Sequence, residues 1–145
     1  MSTNIYIFEV NNIKEFWRLN TMNSPRITHI ESRAEFANLL ARNPGMIILK
    51  FGADWCGPCK KIEHQVHQFF AALPQDGSVL YGDINIDDSV DVYAFLKSNR
   101  RVNGIPVILC YVKGQCSGII PTFSITGADQ TELNRFFSNC MACLH

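Results

Sequence analysis

Charge of either sign is not in excess here: thirteen basic residues balance thirteen acidic ones over 145 residues. A chain with no net field has no general attraction for nucleic acid or for an anionic membrane surface, so neither is expected as a partner. Long apolar runs are missing as well, which excludes a membrane span from the reading. The start Met1-Ser2-Thr3-Asn4 lacks the basic residues of a secretory leader, and Glu9 and Lys14 interrupt the next stretch. Neither internal repeats nor low-complexity segments are found. Charged residues make up only 18% and hydrophobic ones 47%, a balance that excludes wholesale disorder and suits one globular domain with a sizeable core. Cysteine, by contrast, is present in number. Six cysteines without a leader read as reduced or catalytic thiols rather than a secreted disulfide framework, and a cytoplasmic location is expected.

Two of those cysteines lie in Trp55-Cys56-Gly57-Pro58-Cys59, directly after the apolar run Met46 to Phe51, which reads as a short buried strand. A helical pattern comes next, with Ile62, Val66, Phe69, Phe70 and Leu73 recurring at spacings of three and four. The pair thus falls where a strand hands over to the first turn of a helix. Unpaired backbone N–H groups and the positive end of the helix dipole favour a thiolate there. Cys56 can be the ionised nucleophile, and Cys59, one turn on, is placed to attack the mixed disulfide. Pro58 supplies a fixed φ in the first turn and lacks an N–H that would go unpaired. The competing reading is half of a zinc site, with Cys140-Met141-Ala142-Cys143 as the other half. A proline between the cysteines and a strand-to-helix junction both speak against metal at this motif, and no metal is expected.

Along the chain, residues 1–25 form an N-terminal extension and linker. In it Ile5 to Phe8 suit a short strand, Ile13, Phe16 and Trp17 form an apolar stripe, and Thr21 to Pro25 read as the linker. Residues 26–145 alternate strand, helix, strand, helix, strand, helix, strand, strand, helix. This is an α/β order that predicts a mixed sheet flanked by helices. Ser32 to Glu35 is a capping-box signature, with Phe36, Leu39 and Leu40 inward. Asp87-Asp88 begin a helix, and Asp129 to Glu132 cap the last one, whose Leu133, Phe136, Phe137 and Cys140 face the core. Lys113-Gly114 predicts a two-residue hairpin turn after the strand Ile105 to Val112. In that register Cys110 would oppose Ser117 and Cys116 would oppose Tyr111, so the two thiols would point to opposite faces.

The stretch Phe51 to Lys60 resembles the active-site strand and loop of the thioredoxin family. Gly104-Ile105-Pro106-Val107 is similar to the segment that carries the family's cis-proline. Asn85-Ile86-Asp87, Gly127-Ala128 and the last helix come in matching order. The resemblance runs from about Ile27 to the C-terminus. It implies the thioredoxin fold and an enzyme that reduces protein disulfides through a Cys56/Cys59 dithiol–disulfide cycle. That cycle needs no organic cofactor, but it does need a reductase or other thiol partner for recycling. Trp55 would wall the nucleophile. Ile105 would line the substrate groove, and Pro106, in a cis peptide, would face the cysteine pair and leave the Ile105 backbone free for an extended substrate strand. A proline between the cysteines goes with a reducing poise in the family. A disulfide oxidase or isomerase of the same fold stays open, as does a thioredoxin-fold interaction module in which the extension joins partners or a second copy as a homodimer.

Lys50 departs from the family pattern, which has a buried aspartate there, and Asp83 stands where the family has a lysine. Each interrupts an apolar run, so each is expected to be partly buried and to need a partner. The expectation is a Lys50–Asp83 pair beneath Cys59 with its polarity reversed. The alternative is that Lys50 reaches solvent and contributes little. His64 replaces a helix-kinking proline; His64 and His67 read as exposed and bland, and Lys60 and Lys61 as solvated. Cys110 reads as a small buried hydrophobe and Cys116 as exposed enough to react. Cys140 and Cys143 either form an auxiliary redox pair near the terminus or are one buried and one exposed thiol.

Overall fold

Nothing apolar is wasted on the central strand: all seven residues of Met46–Gly52 are buried, because strands flank it on both sides and helices cover both faces. The computed structural model describes residues 26–144. The expected strand, apolar stripe, linker and dimer arm of residues 1–25, and His145, lie outside the described residues. In chain order the elements are β1 (Arg26–Ile27), α1 (Arg33–Ala41), β2 (Met46–Gly52), α2 (Gly57–Ala72), β3 (Val79–Asn85), α3 (Val90–Ser98), β4 (Val107–Val112), β5 (Phe123–Thr126) and α4 (Gln130–Ala142). The sheet order is β1-β3-β2-β4-β5. β3 is parallel to both β1 and β2, whereas β4 runs antiparallel to β2 and β5 antiparallel to β4. This is the mixed sheet between helices that the element order predicts.

The period of two along each strand divides the core into two layers. Met46, Ile48, Val79, Tyr81, Ile108 and Cys110 pack against α2 and α4, where Ile62, Val66, Leu133, Phe136 and Cys140 meet them. Ile47, Leu49, Phe51, Leu109 and Tyr111 face the other way, against Phe36 and Leu39 of α1 and Val92 and Leu96 of α3. Continuing the alternation past Ile48 and Tyr81 puts Lys50 and Asp83 on the α2 face, and the register sets them side by side.

Several local expectations change. Gly114 does turn the chain, at φ +85°, but no hairpin ladder begins directly after it. β4 pairs with β5 instead, and Cys110 lies opposite Phe123. The intervening segment makes its own bridge, Ser117 to Ile120, and Thr122 Oγ1 accepts from the Val112 N–H at 2.9 Å. Cys110 and Cys116 nevertheless belong to opposite layers. At α1 the Ser32 hydroxyl accepts from the Glu35 N–H at 3.1 Å, while the Glu35 carboxylate accepts from Glu31 rather than from Ser32. α3 begins at Val90, after a turn through Asp87 and Asp88, and neither Ser89 nor Asp129 caps its helix with a side-chain bond. Leu40 and Phe137 are half-buried rather than fully inward.

Candidate active site

β2 ends at Gly52, and the chain turns through residues 53–56 before α2 opens at Gly57. Cys56 is the N-cap of α2. Its extended backbone (φ −91°, ψ 109°) lets its Sγ accept from the Cys59 N–H at 3.2 Å. A sulfur at this position meets the orphan donors and the positive end of the dipole. Pro58 sits in the first turn, where its missing N–H costs nothing. Cys59 lies on the buried stripe that continues through Ile62 and Val66. Cys56 and Cys59 are joined in a disulfide, Cα–Cα 5.3 Å. Both are recessed, 5% and 4% exposed, whereas Trp55 beside them is 67% exposed. Trp55 is held from the far side, its Nε1 donating to Asp87 Oδ2 at 2.9 Å.

The Ile105–Pro106 peptide is cis. Pro106 is buried and Ile105 half-buried. Because Val107 lies opposite Phe51 in the antiparallel register, this step enters the sheet at the end of β2 from which the cysteine loop leaves. The Pro106 carbonyl accepts from Gly127 at 2.8 Å, which ties the segment to the end of β5.

Lys50 is the one charged residue buried among the described residues. Its Nζ donates to both Asp83 oxygens, at 3.2 and 3.3 Å. It therefore does not reach for solvent. The space towards the sulfur is kept clear by Gly52: a methyl group there would lie 3.1 Å from Cys59 Sγ and 3.5 Å from Lys50 Nζ. Lys50, Gly52, Cys59 and Asp83 line a common cleft of about 330 Å³ on the α2 side. His67, expected to be bland, also lines it, with Nε2 3.6 Å from Asp83 Oδ2. A helical reading had the signal to find it, since Lys60, Glu63 and His67 recur at spacings of three and four beside the buried stripe, and all three line the cleft. Lys60, Lys61 and His64 are exposed.

The remaining cysteines are free thiols. Cys110 and Cys140, both wholly buried, hydrogen-bond one another. That bond, and then burial, pushes the Cys110 thiol far above its ordinary range. Cys116 and Cys143 are half-buried. Among the described residues no cluster of three or more His, Cys, Asp or Glu side chains is placed to hold a metal ion.

Comparison with known proteins agrees with this geometry. A family model described as Thioredoxin matches residues 27–139. The chain is 33% identical to a thioredoxin of Neurospora crassa over 110 residues, covering 76% of this chain and 83% of that one. It is 31% identical to the thioredoxin of Homo sapiens over 109 residues, covering 74% and 91%. Among solved structures, Fasciola hepatica thioredoxin superposes with a TM-score of 0.59 at 21% identity, covering 78% of this chain and 98% of that one.

Proposed function

From the premise that this chain belongs to the thioredoxin family and is a thiol–disulfide oxidoreductase, we propose a division of labour among its residues. The Cys56 thiolate attacks one sulfur of a client disulfide. The client S–S bond breaks, and its other sulfur leaves as a thiol. The Cys59 thiolate then attacks Cys56 Sγ, the mixed disulfide breaks, and the second client thiol departs. Two electrons have passed to the client, which keeps two protons, and Cys56–Cys59 is left oxidised for a reductase or other thiol partner to recycle. The observation that carries this reading is the disulfide at the mouth of α2, with Cys56 Sγ in the N-cap position. Gly57 and Pro58 set the spacing of the sulfurs. Trp55 and the Ile105–Pro106 step bound the client groove, and Lys50 with Asp83 tunes Cys59 from beneath.

Trapping tests the order of events. With a small disulfide-bonded protein as client, Cys59→Ser accumulates a mixed disulfide through Cys56, and Cys56→Ser turns nothing over. Full function in Cys56→Ser would overturn the reading in favour of an interaction module. Direction of flow is read from a glutathione titration. A potential around −270 mV, the value of thioredoxins as a class, supports the reductase; one near −180 mV points to a disulfide donor.

Among the described residues no helix is long and apolar enough to cross a membrane. The free cysteines suit a reducing compartment, and on that ground we assign the protein to the cytoplasm. Residues 26–145 form the catalytic domain, and residues 1–25 are an appended segment whose aromatic stripe suits pairing with a second copy.

A further inference from the structure

Asp83 has two oxygens, with a lysine and a histidine facing them. Oδ1 holds Lys50 Nζ at 3.2 Å, and Oδ2 faces His67 Nε2 at 3.6 Å. The three side chains form a graded series from interior to solvent, 5%, 23% and 48% exposed for Lys50, Asp83 and His67. At the inner end Gly52 leaves Lys50 Nζ and Cys59 Sγ facing one space.

We propose that His67 is a positioning residue for Cys59: through Asp83 it sets how much of the Lys50 charge the resolving sulfur feels. The proposal rests on the resolving role of Cys59 in the dithiol cycle. With His67 neutral, the carboxylate offsets Lys50 and the trio carries no net charge. With His67 protonated, the carboxylate is shared between two cations and the trio is positive, which favours the thiolate over the thiol at Cys59. The proton is exchanged with solvent at the exposed imidazole, and no covalent bond changes. The other charged groups facing this cleft are Arg26 of β1, Asp54 of the loop, and Lys60 and Glu63 of α2. None is an imidazole, the one side chain whose ordinary titration falls between pH 5 and 8. Acidification therefore depletes the Cys59 thiolate less steeply than it would for a thiol with fixed surroundings.

Resolution can be timed directly. The Cys56 mixed disulfide with pyridine-2-thiol is formed at acid pH, jumped by double-mixing stopped flow, and monitored by release of the chromophore. The ratio of the wild-type rate to that of His67→Gln is expected to fall about threefold between pH 5.5 and pH 8, an order-of-magnitude Coulomb effect. His67→Lys, cationic throughout, is expected to keep the faster rate at pH 8, which a merely structural role would not produce. His64→Gln, outside the cleft, tracks the wild type. A flat ratio with release intact in both proteins overturns the role of His67 and leaves the dithiol cycle standing. No release from the wild type overturns the resolving role of Cys59 and this inference with it.

Discussion

A lysine enclosed by a sheet and a helix survives only with a partner. Lys50 has its partner in Asp83, one strand over and in register. Removing one member of a buried pair costs more than removing both, because the survivor is left desolvated and unpaired. Since Asp83 is partly exposed, we expect Asp83→Ala to lower the unfolding free energy by about 2 kcal/mol, below the range for a fully buried pair. The double variant Lys50→Met with Asp83→Leu should recover most of that loss. Urea unfolding of the oxidised protein measures both, and strict additivity would show that the pair does not act as a unit. The pairing is legible in sequence because each charge interrupts an apolar run at a position that period two assigns to one face. Helical spacing puts His67 on the flank shared by Lys60 and Glu63, but which residue of β3 it meets depends on how far α2 slides along the sheet, which apolar spacing alone leaves undetermined.

At the scale of elements, α4 is bound to the sheet by Leu133, Phe136 and Cys140, and Phe137 stacks on Phe69 of α2 with ring centroids 4.1 Å apart. Cys110 of β4 meets Cys140 of α4 inside that interface. With its thiol pushed up by the Cys140 hydrogen bond and by burial, Cys110 keeps its proton at pH values where an unfolded cysteine, at about 8.5, gives it up. Its contribution to stability is therefore full below the unfolded value and declines as pH rises through and beyond it. Native alkylation with mass mapping of the disulfide-intact protein at pH 8 should label Cys116 and Cys143 and spare Cys110 and Cys140. Equal labelling of all four would contradict the packing. The sequence identifies the strand and the helix that carry these residues. It does not reveal the return of the chain to β5, because Lys113-Gly114 is a valid turn locally while the ladder resumes only at Phe123, after Gly118 at φ +58° and Pro121.

On the scale of the whole molecule, the two layers share one sheet, and the cleft lined by Lys50, Cys59 and Asp83 lies on the α2 side of it, whereas Ile105 packs on the other layer. The matched region, residues 27–139, contains every described element from the second residue of β1 to most of α4. A chain of residues 26–145 is expected to unfold in one cooperative transition and to reduce a protein disulfide at no less than about half the full-length rate. A large drop in midpoint would make residues 1–25 part of the fold. The order of elements, the junction that carries the cysteines and the two charges that interrupt apolar runs can all be read from residue patterns, because each is local or periodic. That those charges are exchanged emerges only through the resemblance to the family. The layer in which a loop or a helical flank lands is a long-range outcome and needs coordinates. The recess of the sulfurs bears finally on which clients can be served. With 5% and 4% of the two cysteines in view behind a projecting indole, the approach is narrower than the chemistry. A bond carried on a ridge or a loosened strand is therefore expected to be reduced faster than one sunk below its own protein's surface.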